Sequence, residues 1–483
     1  MGSKGMTAVG ATEDNQSAEI PQICTKSQES TVNTTEGGED EWLISIKNYV
    51  KDTAKKPQIV GVPSLLRESN KDCFDPLVVS IGPYHHGKPK LKAFEEQKIP
   101  IAQKFCHACE NKVPIEQMYK AVARECKSAR ECYEKGSTGF DDDKLFNRMM
   151  FLDACFVLHV MFISKERSDS DGTDKEQREV DPLQCGSCYL AFVQRDLFLL
   201  ENQIPLLILN VLMEFRFKKV SERTELIQNF IVQKIAVPAH QKNTCTKSFE
   251  KLLARMMGRS DQEKNKWKVD LNASPHLLHL AREQLIGPLP RKNKTKNSNG
   301  WHSYRSVTEL KSEGIQSRPS QTYHITDVEF KHHLISGTLK LPPISVDDST
   351  KPLLLNLVAY EMSPHGPSDY RIMSYIWLMD SLIDNANDVK ELRKKRILVN
   401  NLGSDEHLAE LFNEIAIDLV PDLHVYADTK QQIEDHCQNK GLVWMAEWLH
   451  DHFSSPWTIL AFLGAIFALV LTVVQTYFAI FPR

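Results

Sequence analysis

The sequence lacks a strong excess of charge of either sign. Its 59 lysine and arginine residues and 63 aspartate and glutamate residues give a formal net charge of -4 at pH 7. Proteins that bind nucleic acid generally carry a marked basic excess on the binding domain. The composition therefore predicts no nucleic-acid partner.

The sequence also lacks the short motifs that mark common enzyme classes. It contains no phosphate-binding loop, no glycine-rich dinucleotide-binding pattern, no GxSxG nucleophile turn and no HExxH zinc motif. We therefore predict that the protein is not an enzyme, that it holds no metal or other cofactor, and that it has no catalytic residues.

The cysteines are not arranged as in a secreted disulfide scaffold. Eleven of them, an odd number, are spread along the chain, which fits a reducing compartment. Two CxxC pairs occur, Cys106 with Cys109 and Cys185 with Cys188. Their separation far exceeds the roughly 15 to 20 residues of a zinc ribbon. We therefore favour structural thiols over a zinc or redox site.

One long apolar run stands against these absences. From Trp457 to Val474 no charged residue occurs, and the apolar segment continues to Phe481. As a helix, at about 1.5 Å per residue, the first stretch spans roughly 27 Å and the longer one roughly 37 Å. We predict a transmembrane helix over residues 456–481. Its marker residues are Trp457, Gly464, Gln475 and Phe481.

The apolar run also predicts a topology and a location. Residues 1–40 contain no apolar signal-peptide core, so insertion is expected after translation, with the body in the cytosol. We expect a single-pass C-terminal anchor in the plasma membrane or an endomembrane, and thus the lipid bilayer as a partner. Flanking charges are too few to exclude the opposite orientation.

Hydrophobic periodicity divides the rest of the chain. Residues 1–40 are polar and acidic, so we predict disorder there, and helical spacing prevails over 41–455. Met149–Ile163 is apolar on all sides but too short to span a bilayer, which predicts a buried helix. Strand signals occur at Leu77–Ile81 and Phe330–Val346. The predicted fold is mainly α, a large helical globular body with a minor β element and one C-terminal transmembrane helix.

Several stretches resemble one plant family in the same order along the chain. They are Ser80–Gly87, Leu152–Phe156, Asp196–Pro205, His276–Leu280, Asn356–Glu361 and Pro456–Thr458. Together they resemble the family called domain of unknown function 247, from about Val60 to Phe481. The resemblance implies a mostly helical body, a single C-terminal anchor and no established catalytic activity. Some members are linked to grass self-incompatibility, where they look like pollen-side recognition determinants.

The residues that we expect to matter most lie in three of these stretches, one of which is part of the predicted buried helix. They are Gly82, Pro83, Tyr84, His85, His86, Asp153, Glu201, Asn202, Gln203 and Pro205. The adjacent imidazoles of His85 and His86, with Glu95 nearby, are residue types that bind metal or transfer protons. Adjacent side chains project in different directions, so we favour imidazoles that fix a turn by hydrogen bonding.

Asp153 and Glu201 are carboxylates inside apolar surroundings. A buried carboxylate must be paired or hydrogen-bonded, or it becomes neutral. We predict that each locks the core to a partner such as Arg195, Lys98 or a helix N-terminus. Asn202 is predicted to cap the following helix, with Pro205 in its first turn.

We therefore expect a membrane-anchored recognition or interaction protein with an unidentified protein partner. Self-incompatibility or another form of cell recognition is its most concrete version. The alternative is a hydrolase-like membrane enzyme that uses His85 and His86 with Glu95 or Glu201. A third reading is a scaffold that forms homo-oligomers, although the apolar run contains no GxxxG motif.

Overall fold

A computed structural model describes most of the body of the chain. The described residues are Trp42, Leu43 and Ile46, which are helical, and 58–109, 113–134, 136–137, 139–140, 142–169, 187–235, 271, 274–288, 305–333, 336–438 and 456–480. The chain divides into two units, Met1–Ala54 and Lys55–Arg483. The predicted disorder of 1–40 lies outside the described residues.

Helices form most of the second unit, as predicted. In chain order they are α1 (Ser64–Ser69), α2 (Lys71–Phe74), α3 (Lys92–His107), α4 (Ile115–Arg130), α5 (Asp143–Asp169), α6 (Ser187–Asp196), α7 (Leu206–Arg216), α8 (Val220–Ile235), α9 (Leu277–Ile286), α10 (Val307–Ser312), α11 (Thr350–Met362), α12 (Arg371–Leu382), α13 (Ala386–Lys394), α14 (Asp405–Ala416), α15 (Ala427–Gln438) and α16 (Pro456–Ile480). A single 3-10 turn, Pro89–Leu91, precedes α3.

Helix α5 lies at the centre of the N-terminal half of this unit. It packs against α3, α4, α7 and α8. Phe146, Met150, Phe156 and Met161 are almost fully buried in this contact. Such burial explains why the predicted apolar run is hydrophobic on all sides, because a helix surrounded by other helices has no solvent face.

The C-terminal half combines helices with two small sheets. Helices α11, α12, α13 and α14 pack together, and α9 contacts α8, α11 and α12. One sheet has the order β1-β3-β2, formed by Ile315–Pro319, Gly337–Leu341 and Glu329–His332. Strand β3 is parallel to β1 and antiparallel to β2. The other sheet pairs β4 (Ile344–Val346) with β5 (Leu398–Asn400) in parallel.

The minor β element is confirmed, but one predicted strand is wrong. Residues 330–346 contain β3, β4 and most of β2, whereas 77–81 form no strand despite their β-prone side chains. The N–H groups of Leu77, Val78 and Val79 bond instead to the carboxylate of Asp196. Side chains therefore replace the neighbouring strand that this segment would need.

Two helices bear on the predicted membrane anchor. Among the described residues, Asp143–Glu166 of α5 is long and apolar enough to cross a membrane, but 72% of its apolar window is buried in the protein. Among the described residues of α16 the apolar stretch is Gly464–Tyr477, which is shorter than a membrane span. Trp457, Gly464 and Gln475 lie in α16, and Phe481 lies outside the described residues. The transmembrane helix stays a prediction.

Candidate functional site

Two loops that the sequence singled out lie against each other, the first loop over residues 75–88 and the second over residues 197–205. Gly82 of the first loop has a φ of 74°, and a Cβ built on it would lie 2.5 Å from the backbone oxygen of Gln203 in the second. The hydroxyl of Tyr133 donates to that same oxygen at 3.0 Å. Only glycine fits here, because the position combines left-handed backbone with a close backbone approach.

Asp153 and Lys98 form a buried ion pair beneath this contact. The Lys98 Nζ donates to Asp153 Oδ1 at 2.5 Å, to Glu95 Oε1 at 2.6 Å and to the Ser80 carbonyl at 2.6 Å. The other oxygen, Asp153 Oδ2, accepts from Gly82 N–H at 2.8 Å. Burial raises the pKa of Asp153, and the positive charge of Lys98 opposes that rise. All three ammonium protons have acceptors, so the pair ties α3 and α5 to the first loop.

The side chain of Asn202 also forms hydrogen bonds with the first loop. Its Oδ1 accepts from Ile81 N–H at 2.7 Å, and its Nδ2 donates to the Val79 carbonyl at 3.1 Å. The prediction that Asn202 caps α7 is wrong, because the N-cap of α7 is Pro205 and no side chain caps it. The Asn202 amide is used instead by the extended segment, where it satisfies one donor, the Ile81 N–H, and one acceptor, the Val79 carbonyl.

Glu201 and His85 lie next to each other, close to the contacts of Asp153 and Asn202 described above. Glu201 Oε1 accepts from Val62 N–H at 2.8 Å, and Oε2 accepts from Arg67 at 2.5 Å and lies 3.3 Å from His85 Nε2. Burial raises the pKa of Glu201, but His85, Val62 and Arg67 together outweigh it and leave the pKa lowered. Glu201 is therefore held as a carboxylate. Arg67 is a partner that sequence reasoning missed.

The two neighbouring histidines diverge. His85 is buried and its Nδ1 lies 2.6 Å from Lys88 Nζ, whereas His86 Nδ1 lies 3.8 Å from Glu95 Oε2 and its ring packs on Phe140. Each imidazole thus faces a different carboxylate. The geometry gives two imidazole–carboxylate pairs of the kind the enzyme alternative needs, but it does not join them into one centre.

The metal alternative finds no donor cluster in the part of the chain that is described. No group of three or more His, Cys, Asp or Glu side chains there is placed to hold an ion. Cys106 and Cys109 are both buried, at the end of α3 and just beyond it. Cys185 lies outside the described residues, and of Cys188 only its place in α6 is described.

A second buried ion pair organises the C-terminal half. Arg282 of α9 donates from Nε and from a terminal nitrogen to Glu361 Oε1 at 2.8 and 2.7 Å. The same carboxylate accepts from the N–H groups of Ile372 and Met373, at the start of α12. Burial raises the pKa of Glu361, and Arg282 opposes that rise. Helix α12 has no side-chain cap of its own. Glu361 of the neighbouring helix α11 therefore caps it.

Two histidines, the buried His276 and the half-buried His279, lie beside this pair. The ring of His276 packs edge-on against Tyr360 at 4.9 Å, and His279 Nδ1 lies 3.1 Å from the Tyr360 hydroxyl. Burial lowers the pKa of His276 to about 3 and that of His279 to about 4. Both imidazoles are therefore neutral at physiological pH. His276 also accepts from His279 N–H and so caps α9.

A separate cleft of about 430 Å³ lies among helices of the C-terminal half. It is lined by Ser306, Glu309, Asp380, Ser381, Ile383, Asp384 and Asn413. Burial and the nearby charge of Asp384 raise the pKa of Asp380. None of the residues that the sequence predicted as a site lines this cleft, so it does not join the imidazole–carboxylate pairs.

Comparison with known proteins places these features in a family. The profile of a plant protein family of unknown function, domain of unknown function 247, matches residues 59–471. UPF0481 protein At3g47200 of Arabidopsis thaliana is 26% identical over 474 residues, covering 90% of this chain and 91% of the relative. Putative UPF0481 protein At3g02645 of the same plant is 24% identical, covering 92% and 95%. No solved structure matches the chain.

Replacement of Asp153 by alanine should destabilise the protein by about 3–5 kcal/mol, because the buried Lys98 would lose its buried charge partner and keep only Glu95, and the Gly82 N–H would lose its acceptor. Asp143→Ala on the same helix removes an exposed ion pair with Arg130 and should cost less than about 1 kcal/mol. Urea unfolding of the full-length protein in detergent measures both. Equal stability of the two variants would show that the Asp153 pair is not structural.

Gly82→Ala should destabilise far more than Gly87→Ala. Both glycines have a positive φ, 74° at Gly82 and 79° at Gly87. A Cβ at Gly87, however, would meet nothing within 4 Å. Gly87→Ala should therefore show only the backbone strain of about 1 kcal/mol. Gly82→Ala adds the clash with Gln203, so we expect a loss of at least twice that. The same urea unfolding assay measures both losses of stability. If the two variants lose similar amounts, the backbone of Gln203 does not approach Gly82 closely.

Proposed function

Because the chain belongs to the plant family domain of unknown function 247, whose description assigns no reaction, we propose a role without catalysis. In this proposal the protein is a membrane-anchored recognition protein. Helix α16 holds the body at a bilayer, with the body in the cytosol, and the body acts by surface contact with a protein partner. A role in cell recognition, such as self-incompatibility, is the specific form that we propose, on the family resemblance alone.

The exposed apolar surface of α16 carries the anchoring half of the proposal. The helix has 25 residues, about 37 Å at 1.5 Å per residue. Phe467, Leu469 and Val473 are 66%, 67% and 68% exposed, and the other described side chains of α16 are exposed as well. Contiguous apolar surface of this kind is typical of a membrane or protein contact.

Two polar side chains of α16 are hydrogen-bonded within the helix. The hydroxyl of Thr472 donates to the Ala468 carbonyl at 2.8 Å, and that of Thr476 donates to the Thr472 carbonyl at 2.8 Å. In lipid no water is available to hydrogen-bond with polar groups, so internal partners are required. The helix meets that requirement at Thr472 and Thr476.

The buried network supports contact rather than catalysis. A general base must reach the proton that it removes from a substrate. The side chain of His85 is 2% exposed and that of Asp153 is 1% exposed. Asp153 itself accepts from the Gly82 N–H of the loop that begins at Leu77, and Glu201, the partner of His85, accepts from the Val62 N–H. The polar atoms that resemble an active site in sequence are thus engaged in holding the fold.

Anchoring to the membrane would raise the occupancy of contacts between the protein and its membrane-associated partners. Confinement to a membrane converts a three-dimensional search into one with a high effective concentration of membrane-associated partners. A weak surface contact then suffices for occupancy. This mechanism requires no bound cofactor and no chemical step.

We predict that the full-length protein stays in the membrane pellet after alkaline carbonate extraction. Leu469→Arg with Val470→Arg should release it, because each arginine at a helix centre costs about 2.5–3.5 kcal/mol of insertion. Leu145→Arg, an exposed position on α5, is the matched control and should leave the protein in the pellet. Release of the wild-type protein by carbonate would contradict the anchor.

The same variants test recognition. Proximity labelling from the anchored protein should mark partners that the released double-arginine variant does not mark. Identical labelling by both forms would show that contact does not depend on the membrane.

A further inference from the structure

The loop between α14 and α15 presents three aliphatic side chains to the exterior. Ile417, Val420 and Leu423 are 63%, 78% and 58% exposed. Each would gain about 1.5–3 kcal/mol from full burial, so three of them in seven consecutive residues form an unusual surface for a body in water.

This loop is held in place rather than frayed. The hydroxyl oxygen of Ser374 on α12 accepts from Asp422 N–H at 2.9 Å and lies 3.1 Å from the Asp422 carbonyl. Asp418 adopts a left-handed conformation with a φ of 64°, and Asp422 Oδ1 accepts from His424 N–H at 2.9 Å. The apolar side chains are therefore presented outward by a fixed backbone, as a preformed contact surface would be.

We propose that Ile417, Val420 and Leu423 form a second membrane contact, inserted at the headgroup–acyl boundary of the bilayer that holds α16. The inference rests on the proposed function, because it requires the body to be tethered. Helix α15 begins four residues after Leu423 and ends at Gln438, and residues 439–455 then lead to Pro456 of α16. That connection extends at most about 60 Å, so the tether keeps the loop within reach of the lipid surface.

The side chains around the loop indicate which lipid chemistry is involved. The loop itself carries Asp418 and Asp422 and no lysine or arginine, so attraction to anionic headgroups is not its mode of binding. Ser374 lies one turn after Tyr370, whose exposed ring belongs to the residue type that prefers the membrane interface. The expected partner is therefore a neutral, phosphatidylcholine-type surface contacted through hydrocarbon.

The test uses the full chain reconstituted in phosphatidylcholine vesicles, with either ordinary or brominated acyl chains. Val420→Trp places a fluorophore on the loop, and Leu145→Trp places one at an exposed position on α5 as the control. Brominated lipid should quench the emission added by Val420→Trp at least twofold relative to ordinary lipid. The emission added by Leu145→Trp should change by less than 10–20%, roughly the noise of such a comparison. Leu423→Trp replaces Val420→Trp if the latter fails to fold.

The outcomes separate the two proposals. Vesicle flotation of the wild-type protein with unquenched loop tryptophan would overturn the membrane contact and leave the anchor standing. Failure of the protein to float would instead overturn the anchor. Equal quenching at both positions would also contradict a specific loop contact. Protection of the loop tryptophan from aqueous iodide without quenching by brominated lipid would assign the loop to a second copy, a protein partner or the chain itself.

Discussion

The extended segment 77–82 has backbone N–H groups that no strand satisfies, and the N-terminal half of the fold depends on how they are paired. Asp196 accepts from Leu77, Val78 and Val79, and Asn202 and Asp153 accept from the two residues that follow Ser80. An unpaired buried N–H costs about as much as a lost hydrogen bond, so several unpaired groups in succession would cost a free energy comparable to the whole stability of an ordinary domain. Three side chains from α5, α6 and the loop before α7 thus fix where those elements meet.

The need to pair these N–H groups explains why the family motifs resemble an active site. Asp, Asn, His and Lys in buried positions are the residue types of active sites, and they are equally the types that can satisfy backbone without a sheet. In this protein the same carboxylates that accept from N–H groups also face Lys98 and Arg67. Burial raises the pKa of Asp153 and Asp196, whereas the pKa of Glu201 is lowered, so the network contains both kinds of carboxylate without forming one reacting centre.

The sequence predicted what local patterns encode and, apart from naming Lys98 among the candidate partners of Asp153, missed what distant pairs encode. Met149–Ile163 is apolar on every side, which is enough to predict a buried helix, and the mainly helical body is confirmed. Leu77–Ile81 has the composition of a strand, but strand formation requires a neighbour, and none is encoded nearby. The pair of Arg67 with Glu201 joins residues 134 apart, and that of Arg282 with Glu361 joins residues 79 apart. No spacing rule reaches such distances, although Asp196, Glu201 and Glu361 lie within the family motifs.

The central claim is that side chains of the family motifs serve as the hydrogen-bonding partners of segment 77–82. Native-state hydrogen exchange of the full-length protein measures this directly, amide by amide. The account predicts that Val78, Val79, Ile81 and Gly82 exchange as slowly as the buried helix α5, because their N–H groups open only when the core does. Exchange at the rate of an exposed loop would contradict it.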